Sequence, residues 1–77
     1  MNMTGADLQD FANKSIDMMC HLPGRNNAEV YREISEYSGV SSSRIRDFHS
    51  GAHSNLTVET LDFIIVGVKK AMRKIAA

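Results

Sequence analysis

Apolar side chains recur at intervals of three and four along most of the chain, and glycine, proline, serine and asparagine break the pattern at three places, which predicts four helices. The first runs from about Gly5 to His21. Thr4 stands as its N-cap, Asp7 three residues on as a capping-box analogue, and Met3 and Leu8 are spaced to staple the entry. Leu8, Phe11, Ala12, Ser15 and Met19 form its buried stripe, and Leu22-Pro23-Gly24 stops it. The second opens at Asn26 or Asn27, carries Glu29 in its first turn, and buries Val30, Ile34 and Tyr37 up to a stop at Gly39. Ser41 caps the third, in which Ile45 and Phe48 point inward and Ser43, Arg46, Asp47 and Ser50 outward, until Gly51 ends it. After a surface loop from Ala52 to Leu56, Thr57 caps a last helix reaching about Ile75. No stretch alternates as a strand does, so the fold class is all-α.

The last helix has two apolar sides. Leu61, Ile64, Ile65, Val68, Met72 and Ile75 make one stripe, while Phe63 and Val66 project elsewhere beside Gly67. Phe63, Val66 and Gly67 are therefore read as a homodimer interface, with the first helix wrapping over that side as the competing reading. Lys69, Lys70, Arg73 and Lys74 suit a solvated face, DNA backbone or an acidic partner, and the spacing leaves these open.

At 77 residues the chain is read as a single domain over 1–77, one that buries only about 60% of its unfolded surface and so needs an efficient core or a partner subunit. Its 43% hydrophobic and 23% charged residues suit a folded domain. A single cysteine, Cys20, forbids an internal disulfide and points to a reducing compartment, the cytoplasm. MNMTGADLQD lacks a basic-then-apolar run, and the longest apolar stretch, Phe63 to Val68, is far short of the ~20 residues that span a bilayer, so neither export nor a membrane partner is expected. Net charge is zero but lopsided: residues 1–40 hold three Lys/Arg against six Asp/Glu, a net of −3, and residues 41–77 hold six against three, a net of +3. The third helix lies in the basic half.

Tyr31 to Ser50, YREISEYSGVSSSRIRDFHS, reads as two short helices about a tight turn at Ser38-Gly39-Val40, where a positive backbone dihedral favours glycine. This core, about 27–50, resembles the helix-turn-helix of the phage Cro and lambda-repressor-like family. Aligned with that family's twenty-position motif, Tyr31 is first, Ile34 fourth, Gly39 ninth, Val40 tenth, Ile45 fifteenth and Phe48 eighteenth. The ending Phe48-His49-Ser50-Gly51, followed by Asn55 to Leu61, is also similar to the family's exit loop and fourth helix, so the resemblance spans roughly Asn26 to Val68. Ser35 stands where the family usually has alanine, and the long helix over about 57–75 replaces a shorter helix and a fifth one. The resemblance implies a small four- to five-helix DNA-binding domain.

Family members read bases with motif positions occupied here by Ser42, Ser43 and Asp47. Serine bonds several base edges and Asp47 could accept from a cytosine amino group; Arg46, on the same outward side, is the stronger candidate for guanine or phosphate. The resemblance places phosphate contacts at Asn27, Tyr31 and Arg32, at Arg44 and Ser50 of the third helix, and at His53, Ser54 and Asn55 of the exit loop. If His49 and His53 lie against phosphates, binding strengthens as pH falls through roughly 6.5.

Each of these residues has a plainer role. Arg44 and Asp47, three apart, can pair with each other for only ~0.2–0.5 kcal/mol, and Ser41 suits a cap better than a base contact. Cys20, His21, His49 and His53 do not make a zinc site, since His49 and His53 straddle Gly51 and only one thiolate is on offer. Without a Gly-rich phosphate loop, nucleophile elbow or zinc-hydrolase spacing, neither an enzyme nor a cofactor is expected. The expectation is a phage-type repressor that inserts helix 41–50 into the major groove of a double-stranded DNA operator as a homodimer. The rival is a protein-binding inhibitor or adaptor on the same scaffold, sequestering a host or regulatory protein.

Overall fold

The computed structural model describes residues 5–51 and 56–76 of the chain. Within them it has four helices and no strand: α1 (Gly5–Cys20), α2 (Asn27–Ser38), α3 (Ser42–Ser50) and α4 (Val58–Ala76). The expected Thr4 cap and Met3 staple lie outside the described residues. No described helix is long and apolar enough to cross a membrane.

Side-chain caps and glycine stops set most of the helix boundaries. The Asn26 side chain accepts the Glu29 N–H at 2.9 Å, Ser41 Oγ accepts that of Arg44 at 3.2 Å, and Thr57 Oγ1 accepts that of Thr60 at 3.1 Å. After α1, the Leu22 carbonyl takes the Arg25 N–H at 3.1 Å across Pro23 and Gly24. Gly39 closes α2 at φ 77° and ψ 0°, its N–H donating to the Ser35 carbonyl at 2.9 Å, while Ser38 Oγ accepts the Val40 N–H at 3.1 Å. That turn swings the chain from α2 into α3 within three residues, with no side chain near enough to obstruct a Cβ at Gly39. Its requirement for glycine is therefore purely one of backbone conformation.

Ile16, Val30, Ile34, Ile45, Ile64 and Val68 meet at the centre, each fully removed from solvent. Burying each contributes about 1.5–3 kcal/mol over leaving it exposed. α4 packs most extensively on α2 and next on α1, while α3 rests on α2 and α1. The stripe of α1 is wider than its spacing suggested: Ile16 and Cys20 are buried with Ala12, Ser15 and Met19, and Leu8 and Phe11 are only partly covered. A helix touching three neighbours needs more than one narrow seam. On α2, Tyr31 is buried with Val30 and Ile34, and Tyr37 packs at the edge of the core, half-buried. On α4 the stripe gains Gly67 and Ala71, and Met72 and Ile75 lie at its partly covered edge.

Gly67 corrects an expectation. Read as part of a homodimer interface, it is instead buried within the protomer: a Cβ there would stand 2.7 Å from Ser38 Cβ and 2.9 Å from the Ile34 carbonyl oxygen. The backbones of α2 and α4 meet there, and only hydrogen fits. Its chain neighbour Val66 and nearby Phe63 remain 46% and 56% exposed, so α1, although packed on α4, does not cover that side.

Candidate functional site

Ile45 and Phe48, at 0% and 5% exposure, pin α3 to the core through one side. With that side fixed, the helical repeat turns Ser42, Ser43 and Arg46 outward, and all three are exposed. They line a shallow cleft of about 180 Å³ with Ala28 and Tyr31 of α2. Ser43 also borders a neighbouring depression with Ser41, Arg44 and Asp47. Ser42 and Ser43 open the helix, so their N–H groups have no carbonyl one turn back, and the Ser41 hydroxyl is spent on Arg44. Hydroxyls, unpaired amides and one guanidinium thus converge on one small surface, suited to anionic oxygens and base edges.

Asp47 does not pair with Arg44 as the spacing allowed. It is half-buried beside Arg46, Nη2 to Oδ1 3.4 Å, and leaves Arg44 exposed on the flank. The Arg46–Asp47 contact is exposed and weak, so Arg46 can exchange it for a ligand. Ser50 Oγ donates to the Asp47 carbonyl at 3.1 Å and is exposed at the end of α3.

Tyr31 lines that cleft and also ties α2 to α3. Placed by resemblance at a phosphate, it is buried, and its hydroxyl lies 2.7 Å from His49 Nδ1 and accepts from Asn27 Nδ2 at 3.5 Å. The other imidazole nitrogen, Nε2, is 3.5 Å from Asp17 Oδ1 of α1. The imidazole thus stands between the tyrosine hydroxyl on one side and the Asp17 carboxylate on the other. Burial raises the Tyr31 phenol, as do Cys20 and Asp17, against the opposing effects of Asn27 and Arg46, so the hydroxyl stays protonated. His49, expected against phosphate, has a side chain only 14% exposed, and both its nitrogens have partners within the protomer. Asn27, Tyr31, His49 and Asp17 form a polar chain across α2, α3 and α1 that orients the candidate helix.

Arg32 is not brought to this surface. It lies with Arg25, Glu29, Glu33, Glu36, Lys74 and Gly24 along a separate, charged groove, where three carboxylates oppose a phosphate. Glu33 is the pivot of that groove, its side chain 15% exposed, paired with Arg25 and with Lys74 Nζ at 3.2 Å. Burial pushes its carboxyl up, but hydrogen bonds and positive charge from Arg25 and Lys74 outweigh this and hold it below the ordinary carboxylate value. Lys74 is thereby engaged within the protomer. Nothing in the local spacing linked residues 25, 33, 74 or 17, 31, 49, since each set joins separate helices or loops.

His53, Ser54 and Asn55 lie outside the described residues. Among the described residues no group of three His, Cys, Asp or Glu side chains could hold a metal ion. No protein-family model, curated protein or solved structure matches the chain.

Proposed function

We propose that the protein is a sequence-specific regulator that binds double-stranded DNA by placing α3 in the major groove, in the manner of the lambda-repressor-like helix-turn-helix family it resembles. The observation that carries this reading is the division of α3 into an anchored side, Ile45 and Phe48, and a side that stands exposed among the described residues, Ser42, Ser43 and Arg46. In this reading Arg46 makes the principal base contact, bidentate to a guanine edge, and the two serines adjust to neighbouring bases. The N–H groups opening α3 and the Arg44 side chain hold phosphates, as does Asn27 at the start of α2. Tyr31 and His49 set the angle of α3 rather than touching the duplex. A domain measuring 32 × 28 × 20 Å matches one half-site, with a second copy on the next, about one turn or ~34 Å away.

The protein carries no net charge, so specificity rests on a few directed contacts rather than on a general attraction for phosphate. Selection from random duplexes with the purified protein, followed by titration of the winner at several salt concentrations, tests the reading. An enriched partly palindromic site, with affinity that falls as salt rises, is expected. Arg46→Ala should cost about 1–3 kcal/mol and relax preference at one position of each half-site. Failure to enrich any site, with equal weak affinity for all duplexes, would overturn it in favour of a protein-binding role.

A further inference from the structure

The outward side of α4 carries Glu59, Asp62, Phe63, Val66, Lys69, Lys70 and Arg73, all exposed. On a helix of 3.6 residues per turn they lie within about 60° of Val66. Acids fill the first half, bases the second, and two apolar side chains the middle. The gradient alone complements the helix dipole, but that does not account for Phe63 and Val66 standing 56% and 46% exposed between the charges. Among the described residues none of the five charged groups takes part in an ion pair; the pairs there are Lys14–Asp10, His21–Asp17, Arg25–Glu33, Arg46–Asp47, His49–Asp17 and Lys74–Glu33.

We propose that this side is the seam of a two-fold homodimer in which α4 packs antiparallel on α4 of a second copy, with the axis at Val66. Residues 59 and 73 are equidistant from Val66 in opposite directions, as are 62 and 70, and 63 and 69. Antiparallel pairing brings Glu59 opposite Arg73 of the second copy at each end. Asp62 and Lys69 share one flank of the helix and face each other across the seam. Phe63 and Lys70 share the other flank, which lays the lysine stem over the aromatic ring. The two Val66 side chains meet on the axis. A parallel arrangement would set Glu59 against Glu59 and Lys70 against Lys70, so the charge order selects the orientation by repulsion as well as attraction. Gly67 faces the other way, into α2, which leaves the protomer intact when the seam opens.

One helix side is small beside the ~1,200 Å² at the low end of stable interfaces, so the pairing belongs in the micromolar range. It rests on the dimeric regulator reading for its purpose only. Sedimentation equilibrium without DNA, from micromolar to submillimolar protein, tests it independently. Expected is twice the 8.5 kDa protomer mass at the upper end. Glu59→Lys with Asp62→Lys, and separately Lys69→Glu with Arg73→Glu, should each weaken self-association at least tenfold while keeping the helical melt, and an equimolar mixture of the two should dimerise again. In a Cys20→Ser background, Glu59→Cys and Arg73→Cys proteins should be joined by a short bis-maleimide when mixed and not when alone. A monomer throughout, unaltered association in both charge-reversed proteins, or cross-linking of each cysteine protein with itself would overturn the proposal. Loss of duplex binding with the dimer retained would instead count against the DNA reading alone.

Discussion

Tyr31 and His49 join α2 to α3 by a 2.7 Å hydrogen bond between hydroxyl and Nδ1, with their rings edge to face at a centroid distance of 5.7 Å. Tyr31 is a wall of the cleft that holds Ser42, Ser43 and Arg46, so its tie to His49 bears on the presentation of that surface. Tyr31→Phe keeps the ring contact and removes the hydroxyl, leaving Nδ1 unsatisfied in a largely covered place. A loss of about 0.5–1.5 kcal/mol is expected, seen as a fall of roughly 4–8 °C in Tm per kcal/mol for a domain of this size. An unchanged melt would show that the hydrogen bond is not a fastening.

Gly67→Ala supplies a better helix former at an interior helical position, worth about 1 kcal/mol on an isolated helix. Here the added methyl meets Ser38 Cβ and the Ile34 carbonyl, and α4 must back away from α2. Overpacking costs about 1–3 kcal/mol, so the net change should be destabilising. Denaturant unfolding measures it, and stabilisation would contradict the close approach.

Glu33 makes stability depend on acid. Its carboxyl is held below the ordinary value by Arg25 and Lys74, so its contribution is complete above the unfolded-chain value of about 4.3 and disappears as pH falls through the lower, folded value. Glu33→Gln should cost about 1–2 kcal/mol at neutral pH and reduce the loss of stability on acidification. Chemical denaturation at a series of pH values reads both effects together.

Cys20 is 9% exposed, and burial, followed by the charge of Asp17, raises its thiol above the ordinary value. Thiolate is thus scarce and sheltered at neutral pH. Reaction with a thiol-specific disulfide reagent should be at least tenfold slower in the native protein than in denaturant, and equal rates would place Cys20 at the surface.

What was legible in the sequence was local. Asn26, Ser41, Thr57, Gly39 and Gly51 announce helix ends through chemistry contained within four residues, and the three-residue spacing of Ile45 and Phe48 gives the anchored side of α3 directly. The Tyr31–His49 bond is not legible locally, because the two residues stand eighteen positions apart on different helices. Gly67 reads as part of a homodimer interface with Phe63 and Val66 because the spacing of α4 alone does not reveal where α2 crosses. Ile16 and Cys20 fall outside the stripe that one neighbour would need on α1, whereas α1 packs on three. Arg32, expected at a phosphate, borders the groove of Glu29, Glu33 and Glu36, a placement that depends on which way α2 is rolled and not on local spacing.

Positions 66 and 67 are consecutive in the chain yet live under opposite constraints. The first is about half exposed and leaves room for other helix-forming side chains, whereas at the second a Cβ would meet α2. Substitutions can therefore retune how strongly two molecules associate without disturbing the interior of either, which allows assembly to change independently of folding.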